Sequence, residues 1–245
     1  MSVVLYGKHP GFGDFLSWGI ERGVRERLEA WVQQVMPATR DLLGAGWADV
    51  WDTAPDLRFW IGPDVLGAPL CGVWRASTDK VGRRYPLMLG LTGAVTPPPV
   101  HGAHDPAPFR ALEAHLEHIA GQTAGQGGVQ DLVASFDAPP ASGTPYDAAQ
   151  AGMLWGMRGD DDLARLFADA AEADAYCAQY ARSHWWHEGT AAREAGWLSV
   201  NGLPDAEALR WLLADRLRAA EITTDAGAAD AEQAAEQDDV GSGQG

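Results

Sequence analysis

Three short apolar runs, Leu57 to Ile61, Leu70 to Trp74 and Leu87 to Leu91, follow one another closely, each bounded by glycine or proline. Runs this short between turn formers read as strands rather than helices. Gly62-Pro63-Asp64 is expected to turn the chain between the first two. The three then form an antiparallel meander, with the Ser77 to Pro86 loop at one end of it.

Such a meander needs apolar cover, and the flanking sequence supplies it. Val3 to Tyr6 is a further short apolar run, ending at glycine and expected to open the sheet. Val24, Leu28, Trp31, Val32 and Val35 then recur at helical spacing. Pro37 lacks an N–H and clashes with the preceding turn. A kink or stop is therefore expected near Met36, with Leu42, Leu43 and Trp47 in a second short segment.

Thr96 to Val100 reads as an extended connection, after which Asp105-Pro106 starts a helix whose apolar face is Phe109, Leu112, Leu116 and Ile119. Leu132 to Phe136 is expected to be a strand and Asp137 to Tyr146 a loop. Leu163, Leu166, Phe167, Ala170, Asp174, Cys177 and Tyr180 mark a third helix, and Leu209, Leu212, Leu213 and Leu217 a fourth. Between them, Ser183 to His187 and Trp197 to Val200 are a further strand pair. This order predicts an α/β fold with a mixed, largely antiparallel sheet covered on both faces by helices. Residues 1–220 are expected to form one domain, with possible sub-halves 1–95 and 103–220. From Glu221 to Gly245 the chain holds seven acidic residues, no lysine or arginine and few apolar side chains, so residues 221–245 are expected to be a disordered acidic tail.

A chain of 245 residues can bury a core without covalent staples. Eleven tryptophans against six phenylalanines place much of the apolar area in indoles, whose N–H still needs a partner, so core edge and binding surface are both open to them. The formal charge of -16, about -9 without the tail, excludes nucleic acid and anionic membranes as partners and suits a basic one. Cys71 and Cys177 lack CxxC spacing, which favours two buried thiols in a reducing compartment. No apolar run reaches the ~20 residues of a membrane span, and the N-terminus lacks a signal-peptide pattern; a cytoplasmic location is expected, without membrane insertion.

Chemistry-bearing residues concentrate in two loops that each follow an apolar run, Gly7 to Asp14 and Ser77 to Pro86. Gly7-Lys8 after a strand invites a phosphate-loop reading, but the GxxxxGK spacing is absent and His9-Pro10 follow the lysine. A glycine-dependent turn is the plainer account. Lys8 and Asp14 of the first loop are expected to meet Asp79 and Arg83 of the second, fixing one end of the sheet. His184-Trp-Trp-His187-Glu188 resembles a metal cluster, yet on a strand its histidines face opposite ways, and histidines that are exposed or packed among aromatics are the simpler reading. His115 and His118 are read as a solvated helix face. There is no GxSxG elbow and neither cysteine has an adjacent histidine, so no catalytic residue, metal or cofactor is assigned.

The same loops carry a resemblance. Tyr6-Gly7-Lys8, Gly13-Asp14-Phe15, Asp79, Val81-Gly82-Arg83 and Tyr85-Pro86-Leu87 resemble the signature of TagF/ImpM proteins, associated with bacterial type VI secretion. Trp47 to Trp60, Ser183-His-Trp185-Trp186 and Gly202-Leu-Pro-Asp205 extend the likeness over about residues 1 to 218. The resemblance implies a three-layer α/β/α sandwich. It also implies a non-catalytic, post-translational repressor of secretion-system assembly that sequesters the cytoplasmic forkhead-associated scaffold protein. The residues it marks, for an interaction or a structural role, are Gly7, Lys8, Gly13, Asp14, Asp79, Gly82, Arg83, Pro86, Trp185 and Trp186. The alternatives are a structural subunit of the apparatus, or a small nucleotide-binding or hydrolytic enzyme using the Gly7-Lys8 loop.

Overall fold

The computed structural model describes residues 2–93, 105–123, 128–138, 164–169, 179–189 and 193–214, with isolated positions at 99, 157, 159, 162 and 172. Seven strands form one sheet: β1 (Ser2–Gly7), β2 (Leu16–Trp18), β3 (Leu57–Ile61), β4 (Leu70–Thr78), β5 (Arg84–Thr92), β6 (Arg182–His187) and β7 (Gly196–Asn201). Their spatial order is β2-β1-β5-β4-β3-β6-β7. Each neighbouring pair is antiparallel, and β3, β4 and β5 are the expected meander.

Alternation along the strands sends side chains to two separate cores. On one face Tyr6, Phe59, Trp74 and Trp185 pack against α1 (Arg22–Leu43), α2 (Trp47–Asp52), α3 (Pro63–Leu66) and α6 (Ala206–Ala214). On the other, Leu5, Trp60, Val73, Leu89 and Trp186 pack under α4 (Ala107–Ala120) and α5 (Val129–Ala134). The layers are therefore α/β/α. One charge enters the second interface: Arg58 of β3 is buried, with its guanidinium forked onto Glu113 of α4 at 2.7 and 2.8 Å and reaching Glu188 at 2.5 Å. Burial opposes the charged guanidinium, and the two carboxylates more than compensate.

The structure departs from the sequence reading at several elements. Pro37 neither stops nor divides the first helix, because α1 runs through it to Leu43. Met36 and Thr39 on either side are buried, and α1 packs along α6, so tertiary contact outweighs the lost hydrogen bond. The Gly62-Pro63 turn is a single helical turn, α3. Leu132 lies in helix α5 rather than a strand, an ambiguity inherent to short apolar runs. His115 is buried rather than solvated, its Nε2 2.7 Å from the Leu132 carbonyl. Of the expected third helix, residues 164–169 are helical. Thr96 to Val100 save residue 99, most of Asp137 to Tyr146, Cys177, Leu217 and the acidic tail lie outside the described residues. Cys71 is buried.

Trp51, Trp60, Trp185 and Trp186 are core residues, whereas Trp18 on the edge strand is 38% exposed. His184 is fully buried between the rings of Trp60 and Trp197, and among the described residues neither of its nitrogens has a hydrogen-bond partner. Burial, aided by the nearby Arg182 charge, pushes its pKa down to about 4. A base depressed in the folded state costs nothing while it is neutral in both states, above pH 6.5. As pH falls from 6.5 to 4 the unfolded chain takes up the proton first, so stability is expected to drop by about 3 kcal/mol from this group. Urea melts of wild type and His184→Phe across that range check it. The wild-type curve should fall more steeply, and parallel curves would show that His184 is not the titrating group.

Candidate functional site

The two signature loops meet at one end of the sheet because β1 and β5 are hydrogen-bonded neighbours. Gly7, at φ +127°, closes β1 where a Cβ would lie 2.0 Å from the Pro86 carbonyl oxygen; no other residue fits. Pro86 sits just beyond the last β1–β5 pair, Gly7 with Leu87, and its carbonyl accepts the Lys8 N–H at 3.1 Å. The β4–β5 hairpin turns through residues 79–83, where Gly82 at φ +82° takes the left-handed position.

Asp79 organises the turn. Its Oδ1 accepts the backbone N–H of Val81 at 3.1 Å and of Arg83 at 2.9 Å. Oδ2 accepts the Lys8 ammonium at 2.9 Å and the Arg83 Nε–H at 2.5 Å. The carboxylate side chain is wholly buried. Burial alone pushes its pKa up, but the Arg83 and Val81 amides with the Lys8 and Arg83 side chains outweigh it and hold the carboxyl well below its usual range. Bonds to main-chain carbonyls close the seam: the Lys80 backbone N–H donates to the Phe12 carbonyl, and the Arg83 guanidinium Nη2 donates to the Gly13 carbonyl at 3.0 Å.

Lys8, Asp79, Gly82, Arg83 and Pro86 are thus brought together with Gly7 as the sequence reading expects. Asp14 is not: it is exposed, and among the described residues it makes no ion pair. Arg83 takes the Gly13 carbonyl instead, so the motif's contribution at that point comes from backbone. Gly13 has neither a positive φ nor a neighbour within 4 Å of a Cβ. Trp185 and Trp186 lie in the two cores, remote in register from the hairpin.

His9 is a member of the site to which the sequence reading gave no role. His9 is fully buried, its Nδ1 accepting the Gly11 N–H at 3.0 Å and its Nε2–H donating to the Ile119 carbonyl at 2.8 Å, which fixes one neutral tautomer. Burial lowers its pKa, with the Ile119 bond acting the other way. That bond pins the first loop to the end of α4, 110 residues away, and no local sequence signal could have disclosed it. Tyr85 lies 5.8 Å from the Lys8 ammonium and stacks edge-on with Phe15 at 4.8 Å. Arg84 forks onto Asp52 of α2 at 3.1 and 2.7 Å. The apolar residues left outside this framework are Val81, 70% exposed, and Phe15, 41% exposed.

Chemically this is an assembled platform in which one carboxylate holds two cations. The Lys8 ammonium and amide are both already engaged, which is the opposite of an open phosphate cradle. Among the described residues no group of His, Cys, Asp and Glu is arranged to hold a metal ion, and no helix is long and apolar enough to cross a membrane.

Comparison with known proteins places these features in a family. The TagF N-terminal domain, described as type VI secretion system-associated, matches residues 4–135, which include both loops. The crystal structure of PA0076 from Pseudomonas aeruginosa PAO1 superposes with a TM-score of 0.65 at 33% sequence identity, covering 86% of this chain and 94% of that one. No curated protein matches.

Asp79→Asn keeps an oxygen for the two backbone donors but turns an NH2 donor toward the largely buried Lys8 ammonium and leaves that charge without its carboxylate, so it is expected to cost about 3 kcal/mol in denaturant melts. Arg83→Ala should cost about 1 kcal/mol or less, because that side chain is 61% exposed. The acid limb follows from the sign of the Asp79 shift. A depressed carboxyl stabilises above its unfolded value of 3.8 and loses that contribution as pH falls below it, so the excess stability of wild type over Asp79→Asn should shrink there. A loss below 1 kcal/mol in Asp79→Asn would show that the hub is not holding the loops.

Proposed function

The chain belongs to the TagF family of type VI secretion-associated proteins, and we propose from that premise that it is a cytoplasmic, non-catalytic repressor of secretion-system assembly. It works by binding and sequestering the forkhead-associated scaffold protein. The observation that carries this reading is the signature site itself. Lys8 and Arg83 are both spent on Asp79, so the loop lysine is engaged rather than open to a ligand, while Val81 and Phe15 stand out from the frame these contacts fix. A rigid frame bearing exposed apolar side chains suits protein recognition, because little ordering entropy is lost on binding. Trp18, exposed on the adjoining edge strand, is a further apolar side chain open to a partner, and aromatic anchors of this kind dominate interface energetics.

The test is capture of the scaffold from native cytoplasm by wild type, Val81→Asp and Trp18→Ser. These positions are exposed, so folding should be unchanged and a melt confirms it. Wild type is expected to retain the scaffold and both variants to lose at least tenfold in affinity. Equal capture by all three would move the interface off this end of the sheet. Failure of wild type to capture the scaffold, in cells expressing the secretion genes, would remove the proposed partner. A stoichiometric, non-exchanging assembly with apparatus components would instead favour a structural subunit.

A further inference from the structure

Beside the hairpin, on the α1 face, lies a groove of about 510 Å³ between the C-terminal half of α1, Trp47 of α2 and the start of β5. Val32, Met36, Pro37, Trp47 and Tyr85 give it an apolar floor. Its polar lining is Gln33 with Arg40, Arg83 and Arg84, and holds no carboxylate, in a chain of net charge -16. Arg84 is forked onto Asp52 and Arg83 uses its Nε on Asp79. Among the described residues Arg40 pairs with the adjacent Asp41 alone, at 3.6 Å and with both side chains mostly exposed, a pair of little worth. Pro37 adds a second kind of demand. Lacking an N–H, it leaves the carbonyl of Gln33, another groove residue, without its helical donor. A segment offering backbone N–H groups, small apolar side chains and carboxylates would meet the carbonyl, the floor and the guanidiniums together.

We propose that this groove is the docking site of the chain's own acidic segment, residues 221–245. That segment holds seven acidic residues and no basic one, and between Asp230 and Val240 it interleaves carboxylates with alanines. The rest of the chain carries about -9, so most of its surface repels the segment and the arginine-lined groove is the favourable place for it. Position agrees. The last described helix, α6, ends at Ala214 and packs on α1 and α2, the helices that wall the groove. From residue 215 to 230 the chain can extend about 50 Å, more than a domain of this size requires. Being tethered, the segment acts at an effective concentration on the order of millimolar, so weak contacts suffice. Docked there, it would lie against Arg83 and Tyr85 of the hairpin and compete with any acidic ligand for them.

The experiment compares amide spectra of the full chain in wild type, in Arg40→Glu, and in a charge-neutralised form with Asp225→Asn, Asp230→Asn, Glu232→Gln, Glu236→Gln, Asp238→Asn and Asp239→Asn. Neutralisation should shift amides of residues 32–40, 47 and 83–85 and few others. Arg40→Glu should reproduce the tail's own shifts, and both effects should be independent of protein concentration. Shifts absent from the groove, or centred elsewhere, would overturn the proposal. Shifts that grow with concentration would also overturn it, because the groove would then be taking the tail of a second copy. None of these outcomes depends on whether the scaffold protein is the partner.

Discussion

Every residue of β3 is buried, and this two-sided burial sets the rest of the architecture. A strand in the middle of a sheet with apolar side chains on both faces needs a helical layer on each, and among the described residues α1, α2, α3 and α6 cover one face and α4 and α5 the other. Arg58 shows how strict the demand is. The one cation in that strand is accommodated only by a carboxylate lowered onto it from α4 and another from the end of β6. With both faces occupied, the ends of the strands are left for the loops.

Asp79 is the polar counterpart of that apolar requirement. A wholly buried carboxylate survives only if donors surround it, and here they come from its own hairpin and from a lysine seventy-one positions earlier. The loops of the family signature are therefore held by charge as well as by sheet pairing. His9 adds a neutral latch to α4 on the far side. Such a site resists rearrangement, which is what a recognition surface needs and what a mobile catalytic loop avoids.

The sheet was legible because its strands are bounded by glycine and proline and its helices carry clear apolar stripes. Leu57, Trp74 and Leu89 announce buried strands, and Phe109 and Leu112 a buried helix face. Where reading failed, tertiary context had overruled local preference. Pro37 sits within a helix because Met36 and Thr39 beside it are buried in the fold, and Leu132 is helical because a run so short has no period to read. In the site, Lys8, Asp79 and Arg83 were legible through spacing and charge. Asp14 was misplaced because the contact goes to the Gly13 carbonyl, and main-chain acceptors leave no mark in a sequence. The groove was invisible for the same reason: its walls come from α1, α2 and β5, and only folding makes them neighbours.

The stretch that carries the family match and the stretch that closes the sheet do not coincide. β3 lies within residues 4–135, yet one of its two neighbours is β6, and Trp185 of β6 stacks on Phe59. Leu209, Leu212 and Leu213 of α6 complete the same core. During synthesis β3 leaves the ribosome about 120 residues ahead of the strand that covers it. At common elongation rates that is on the order of ten seconds with an apolar edge unpaired. The nascent chain in that interval is a candidate for chaperone capture, and separating its halves onto two polypeptides would make the exposure permanent.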